Sequence, residues 1–220
     1  MILVPIKNTA SAKQRLASIL DQQTRTELAQ AMLTDVLVAL HQWRDRPKVG
    51  IVTSDSYATS LANEFQFEVI PDPDNPGETG AIEMATQICV ERGDESTLVI
   101  PADIPLVEAW ELEEVLRHAP AEGSVLVPAG DGRGTNAAFR RPANLFPLRF
   151  GNDSFKPHHA AAQATGKPCV VLNLAGIAVD VDNPPDLRQL LTLPGETRAQ
   201  RLARSWNLPD QLLAAKPDAL

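Results

Sequence analysis

Asp103 follows the apolar run Thr97-Leu98-Val99-Ile100-Pro101 and is followed at once by Ile104-Pro105-Leu106. An unbroken apolar run of this length is the pattern of a strand covered on both faces. The two prolines cannot continue an interior ladder, so the chain must turn there. The carboxylate is thus held at the carboxyl end of a strand expected to be parallel, where open α/β sheets bind their ligands. A second acidic pair, Asp180-Val181-Asp182, closes a segment read as a strand over 177–181, and alternation puts its two carboxylates on one side. Brought near Asp103, they would form an all-oxygen site suited to Mg²⁺ or Mn²⁺, held by one or two carboxylates plus substrate phosphates. Asp182 is assigned instead to capping the helix that starts near Pro184, which leaves Asp180 as the metal ligand. An Asp after a strand also serves as a plain turn residue or helix cap, and position alone does not separate the two readings.

The cations that such a site needs follow the first strand, in Lys7-Asn8-Thr9-Ala10-Ser11-Ala12-Lys13-Gln14-Arg15-Leu16. Lysine offers a point charge and arginine a bidentate fork for phosphate oxygens. Taken alone, the segment reads equally as a solvated basic loop. It contains neither GxxxxGK[ST] nor GxGxxG, so it is not a P-loop and not a dinucleotide fingerprint. Two further segments could meet an anion. Gly130-Asp131-Gly132-Arg133-Gly134-Thr135-Asn136 could converge backbone amides, with the Thr135 hydroxyl beside them; such loops are also ordinary hairpins. Phe150-Gly151-Asn152-Asp153-Ser154-Phe155 leads into a helix whose first amides, with Ser154, would welcome a phosphate or carboxylate. The adjacent His158 and His159 diverge by about 100° on a helix. They are no metal pair, and at least one is read as helix surface.

The elements that must position these residues alternate. Strands are expected at 2–6, 48–53, 67–70 and 97–100, and helices at 24–40, 57–65, 78–91 and 107–117. Strand-like stretches follow at 124–128, 136–139, 169–173 and 177–181, with helices at 153–164 and 184–191. Repeated βα units predict a largely parallel sheet with right-handed crossovers and an antiparallel edge. Residues 1–191 are read as one α/β domain. Residues 192–220 are read as a helical extension whose apolar side (Leu202, Trp206, Leu208, Leu212, Leu213) packs on the body or on a second subunit. Trp43, Trp110 and Trp206 are read as packing residues.

Composition sets the outer limits. A chain of 220 residues, 44% hydrophobic and 22% charged, suits one globular domain with a substantial core. A net charge of −8 argues against a general nucleic-acid or membrane-surface binder, but a few local cations suffice for one triphosphate. Cys89 and Cys169 are isolated in apolar surroundings, are read as small core residues, and give neither zinc spacing nor a disulfide framework. No apolar segment approaches transmembrane length, and the first residues read as a strand, which points to the cytoplasm.

Several of these motifs occur together in order: Val4-Pro5-Ile6-Lys7, Ala12-Lys13-Gln14-Arg15-Leu16, Pro101-Ala102-Asp103-Ile104-Pro105, Gly132-Arg133-Gly134-Thr135-Asn136, Phe150 to Phe155, and Asp180-Val181-Asp182. As a set they resemble the CofC/FbiD family, the guanylyltransferases of coenzyme F420 biosynthesis, from about residue 1 to 191. The resemblance implies a three-layer nucleotidyltransferase fold of the Rossmann-like, GT-A/MobA type. It implies transfer of GMP from GTP to 2-phospho-L-lactate, phosphoenolpyruvate or 3-phosphoglycerate, with release of pyrophosphate. It places Mg²⁺ on Asp103 and Asp180, the acid on Thr135, Gly151 and Ser154, and the triphosphate against Lys7, Lys13 and Arg15. Lys13, Arg15 and Asp103 are then the catalytic set. Hand-over of an unstable product to a downstream enzyme and a homodimer are further expectations.

One departure stands out. The family's Gly-Leu-Asn segment ahead of the Asp103 strand is replaced by Gly77-Glu78-Thr79-Gly80. A carboxylate can accept both N1–H and N2–H of guanine, so Glu78, with Thr79, is a candidate nucleotide contact; both residues are equally ordinary at a helix start. A same-fold cytidylyltransferase, or a nucleotide-binding module without turnover, are the alternative readings.

Overall fold

Along the first strand, Ile2, Val4 and Ile6 pack into one apolar cluster and Met1 and Leu3 into another. The alternation repeats in Leu98 and Ile100 against Val99, and in Val125 and Val127 against Leu126. A strand apolar on both sides must be covered on both, and the result is a helix–sheet–helix sandwich. A computed structural model describes residues 1–73, 77–151 and 153–209. Its strands are β1 (Ile2–Ile6), β2 (Val49–Thr53), β3 (Glu68–Pro71), β4 (Thr97–Val99), β5 (Gly123–Pro128), β6 (Thr135–Arg141) and β7 (Cys169–Val171). The helices are α1 (Gln22–Gln42), α2 (Ser56–Glu64), α3 (Glu78–Glu91), α4 (Ala109–Arg117), α5 (Phe155–Ala164), α6 (Pro184–Thr192) and α7 (Arg198–Ser205).

The sheet order is β3-β2-β1-β4-β6-β5-β7. The pairs β1–β2, β2–β3, β1–β4 and β5–β7 are parallel, and β6 runs antiparallel to both β4 and β5. Helices α1, α2 and α4 contribute to one cluster, and α3 and α5 to the other. From β1 the chain winds outward through β2 and β3, then returns to place β4 on the other side of β1. The switch point therefore lies between the carboxyl ends of β1 and β4. Because β6 runs against β4, its first residues, Thr135 and Asn136, arrive at that same edge.

Three expectations change. Residues 177–181 do not form a strand: Ala178 N–H bonds Leu174 O at 2.9 Å in a turn, and beyond the turn the segment's backbone bonds the backbone of the loops that follow β5 and β4. Gly130 N–H donates to Ala178 O at 2.7 Å and Val181 N–H to Asp103 O at 3.2 Å; the prolines at 184 and 185 pull the chain into α6 before a ladder can extend. Trp110 is 52% exposed rather than packed, its indole N–H turned to Glu108. Cys89 is fully buried, whereas Cys169, on edge strand β7, is only half-buried.

Beyond α6, the buried Ala199 and Ala203 of α7 join Leu28, Met32, Leu187 and Leu190 in a third cluster, against which Trp206 and Leu208 pack. Asp35 of α1 accepts from Arg198 N at 2.9 Å and Ala199 N at 2.8 Å, so α1 supplies an acidic cap to α7. Leu212 and Leu213 lie outside the described residues.

Candidate active site

The loop after β1 is pinned before it reaches the site. Thr53 Oγ1 donates to Ile6 O at 2.8 Å, and Asp55 Oδ2 accepts from Thr9 N and Thr9 Oγ1 at 2.8 and 2.9 Å. The other oxygen of Asp55 caps α2 through Ala58 N at 2.9 Å. The loop then passes through Lys13 in the left-handed region (φ 56°), which a residue with a Cβ adopts only where its surroundings hold it. What holds it is acidic. Lys13 Nζ lies 2.5 Å from Asp103 Oδ2 and 2.8 Å from Asp182 Oδ1, with only 9% of the side chain exposed. Burial works against the ammonium, but Asp103 and Asp182 outweigh it and raise its pKa above the ordinary lysine value. Arg15 Nη1 stands 3.6 Å from Asp182 Oδ2.

Asp182 is thus not the cap of α6. Asn183 caps that helix, accepting from Asp186 N at 3.1 Å, and Asp186 accepts in return from Asn183 N and Asp182 N. The side chain of Asp182 is released toward the cations, and Lys13 chiefly holds its pKa down. Asp180 is oriented by Asn136, whose Nδ2 donates to Asp180 Oδ1 at 3.0 Å and to Ile177 O at 2.9 Å. Burial, then the charge of Asp103, raises the Asp180 carboxyl to about 6. Glu78, in the first turn of α3, is raised to about 7 by burial and next by Asp103, with Lys7 opposing. Lys7 reaches the same helix start, its Nζ 3.8 Å from where a Cβ on Gly77 would lie. Glu78 accordingly stands among the charges of the carboxylate cluster.

Among the described residues, no three Asp, Glu, His or Cys side chains converge as a ready metal cage. The donor chemistry nevertheless fits a hard divalent cation. Asp103 and Asp180 are oxygen donors close enough that the charge of Asp103 raises the Asp180 carboxyl, and one or two carboxylates are what Mg²⁺ takes when phosphates complete its shell.

A second wall is built on β6 and α5. The sheet alternation sends Thr135 and Asn136 to opposite faces, so Thr135 meets α5 while Asn136 meets Asp180. Ser154 Oγ accepts from Thr135 N at 3.1 Å and stands 3.4 Å from Thr135 Oγ1. His158, 1% exposed, places Nδ1 2.9 Å from Thr135 Oγ1, and its Nε2 accepts from Arg149 N at 2.8 Å. Gly151 sits at φ 141°, a conformation that favours glycine. Thr79 Oγ1 accepts from Phe150 N at 3.0 Å, so in this structure Thr79 ties the start of α3 to the loop carrying Gly151.

The start of α5 offers fewer amides than its sequence promised. Phe155 N–H is spent on Arg133 O at 2.8 Å, and Pro157 has none. Asp153 pairs with Arg133 of the glycine-rich loop at the surface. Asn136, Asp182, His158 and Asp55 are the residues the sequence reading left out of the site. Asp55 carried a signal in its place after β2 and before a helix; His158 carried none, since adjacent histidines look alike until one of them is buried.

The family model for the CofC-like guanylyl transferases matches residues 1–209. The chain belongs to that family. A phosphoenolpyruvate guanylyltransferase of Roseiflexus castenholzii is 35% identical over 93% of this chain and 93% of its own. A 3-phospho-D-glycerate guanylyltransferase of Colwellia psychrerythraea is 31% identical over 87% and 91%. A 2-phospho-L-lactate guanylyltransferase of Methanothermobacter thermautotrophicus is 30% identical over 92% and 88%. Among solved structures, a Desulfovibrio desulfuricans G20 protein assigned to the nucleotide-diphospho-sugar transferases superposes with a TM-score of 0.77 at 18% identity, covering 96% of this chain and 95% of that one. That likeness speaks to the fold, and membership of the CofC-like family agrees with the single α/β nucleotidyltransferase domain described above. Among the described residues, no helix is long and apolar enough to cross a membrane.

Proposed function

We propose that this protein transfers the guanylyl group of GTP to a three-carbon phosphorylated acid, releasing pyrophosphate, as a step toward coenzyme F420. The observation that carries the reading is Lys13 seated between Asp103 and Asp182, with Asp180 within reach of the Asp103 charge, at the switch point of the sheet. Phosphoenolpyruvate, 2-phospho-L-lactate and 3-phospho-D-glycerate are the acceptors named for its relatives, and the first of these is named for the relative at 35% identity.

An oxygen of the acid's phosphate attacks the α-phosphorus of GTP, a new P–O–P linkage forms, and the α–β bridging bond breaks to release pyrophosphate. The attacking oxygen is already anionic, so the site needs no general base and no covalent intermediate. The obstacle is the approach of two polyanions, which positioning and fixed charge relieve. Asp103 and Asp180 would hold Mg²⁺, which supplies charge neutralisation on the phosphates when bound. Lys13 and Arg15 bring cations to the triphosphate, and Lys7 meets it at the start of α3. Thr135, Ser154 and the backbone at Gly151 bind the acid. The product is a mixed phosphoric anhydride, which favours prompt hand-over to an enzyme that consumes it.

The test is pyrophosphate release from GTP, CTP, ATP and UTP against the three acids, for the wild type and for Asp103→Asn. Release confined to GTP with one of the acids, reduced at least 100-fold in the variant, supports the reading. Preference for another nucleotide, or an active Asp103→Asn enzyme, overturns it.

A further inference from the structure

His158 is buried, lies outside the reach of bulk solvent and is used by no step above, yet both of its ring nitrogens are engaged. Arg149 N–H can only donate, so Nε2, 2.8 Å away, is the unprotonated nitrogen. Burial, aided by the Arg140 charge, pushes the ring down to about 4, so it is neutral near pH 7. Its single proton is therefore on Nδ1, aimed at Thr135 Oγ1 at 2.9 Å. Thr135 Oγ1 thereby becomes an acceptor on that side, and its own hydrogen must point elsewhere. Ser154 Oγ is already accepting from Thr135 N. The two hydroxyls are 3.4 Å apart, too long for a strong O–H···O bond. Both are 4% exposed; the Ser154 hydroxyl makes only the long bond to Thr135 Oγ1, and the Thr135 hydrogen finds no acceptor within the network. Carboxylate and phosphate dianions are acceptors only, and they are what such hydrogens would meet.

We propose that His158 is the positioning residue of the acid-binding wall: its Nδ1–H turns the Thr135 hydroxyl into a donor toward the anionic substrate, while its Nε2 anchors the 149–151 backbone. The inference rests on the reading that the acid is bound at Thr135 and Ser154. The relay runs one way, from Arg149 N–H through the imidazole to the hydroxyl. The ring is further fixed edge-on to Phe150, with centroids 5.0 Å apart and planes at 66°.

Three variants separate polarity from packing. In His158→Asn the side-chain amide nitrogen takes the place of Nδ1; in His158→Gln the amide reaches the Nε2 position and leaves Thr135 without its donor; His158→Phe keeps the ring volume alone. His158→Phe and His158→Gln should raise KM for the acid about tenfold or more, the loss expected for a misdirected bond to a charged group, with KM for GTP within about twofold. His158→Asn, which restores the donor to Thr135 but not the Nε2 anchor, should recover part of that loss. Equal acid KM values for the Asn and Gln variants, or matched losses for acid and GTP, would overturn the proposal and leave a packing role. Long-range ¹H–¹⁵N spectra of the ring in the wild-type protein decide the same point without substrate or mutation. A neutral Nδ1–H ring from pH 6 to 8 supports the relay; an Nε2–H or charged ring overturns it. If the wild type turns over no acid with GTP, the functional reading fails, and the ring spectrum still judges His158 on its own.

Discussion

Lys13 Nζ stands 2.5 Å from Asp103 Oδ2, joining the loops that leave β1 and β4 at the point where the sheet changes its winding direction. The contact spans 90 residues of sequence and puts the basic loop's most buried cation on the strand-end carboxylate. Two roles converge on those carboxylate oxygens. They are the donors a divalent cation would need, and they are the partners that keep a left-handed, nearly buried lysine in place. The ammonium and the metal compete for one set of electrons, and the triphosphate, on this reading, gives the lysine somewhere else to go.

Lys13→Met should therefore act in opposite directions on metal binding and on turnover. Without nucleotide, Mn²⁺ should bind the variant more tightly than the wild type, as read by electron paramagnetic resonance, because no ammonium contests Asp103. Without metal, the variant should lose on the order of 1–2 kcal/mol, less than a fully buried pair would cost because the Asp182 side chain is 40% exposed. Adding MgCl₂ should recover that loss in a thermal melt. Guanylyl transfer should fall at least 100-fold. Weaker Mn²⁺ binding by the variant would remove the competition.

If Asp180 holds the proposed metal, it gives the site a pH dependence through metal affinity. Burial and the Asp103 charge raise its carboxyl to about 6, and a ligand must be deprotonated to bind. Mg²⁺ affinity should weaken as pH falls through about 6, measured by calorimetry between pH 5 and 8. The Asn136 amide is the contact that opposes the rise. Asn136→Ala should move the midpoint to higher pH; an unmoved midpoint would assign the titration to another group.

The sequence disclosed the fold well and the site unevenly, for physical reasons. Runs such as 97–100 are apolar on both faces, and only a buried parallel strand needs that, so the sheet and its switch point were readable. Asp103 and Lys13 could be placed because strand ends and strand-end loops have fixed locations. Asp182 was given to a helix cap because Asn183 and Asp182 are both good capping residues, and only the backbone path decides between them. The strand expected over 177–181 failed because its apolar residues pack from a turn, with one backbone bond to the loop after β5 and one to the loop after β4 in place of a ladder. His158 was unreadable: its role depends on which face of α5 is buried and on an amide nine residues away.

Asp55 supports the basic loop without facing it to substrate. It accepts two bonds from Thr9 and one from Ala58, linking the loop after β1 to α2. Asp55→Ala removes a helix cap and the loop latch together and should cost about 1–2 kcal/mol in urea unfolding. It should raise KM for GTP several-fold while leaving KM for the acid unchanged, since the wall proposed to bind the acid is on β6 and α5. An equal rise in both would mean that the latch supports the whole edge of the sheet.

Glu78→Gln tests the departure at the start of α3 through stability as well as binding. The carboxyl titrates near 4.5 in the unfolded chain and at about 7 in the folded one, raised by burial and by Asp103. Between those values the folded state holds more protons, so the wild type should lose stability as pH rises from about 4.5 to 7. Glutamine cannot ionise, and the variant should be the more stable form at pH 8, by on the order of 2 kcal/mol. Chemical unfolding at pH 4.5, 6 and 8 measures this; an unchanged slope in the variant would place the titration on Asp180. The same variant decides whether Glu78 contacts the base. If its carboxylate accepts both N1–H and N2–H of guanine, the wild type should prefer GTP over inosine triphosphate, which lacks the N2 amine, and Glu78→Gln should reduce that preference about tenfold. An unchanged preference would leave Glu78 as a charge among the carboxylates and lysines at the phosphate end.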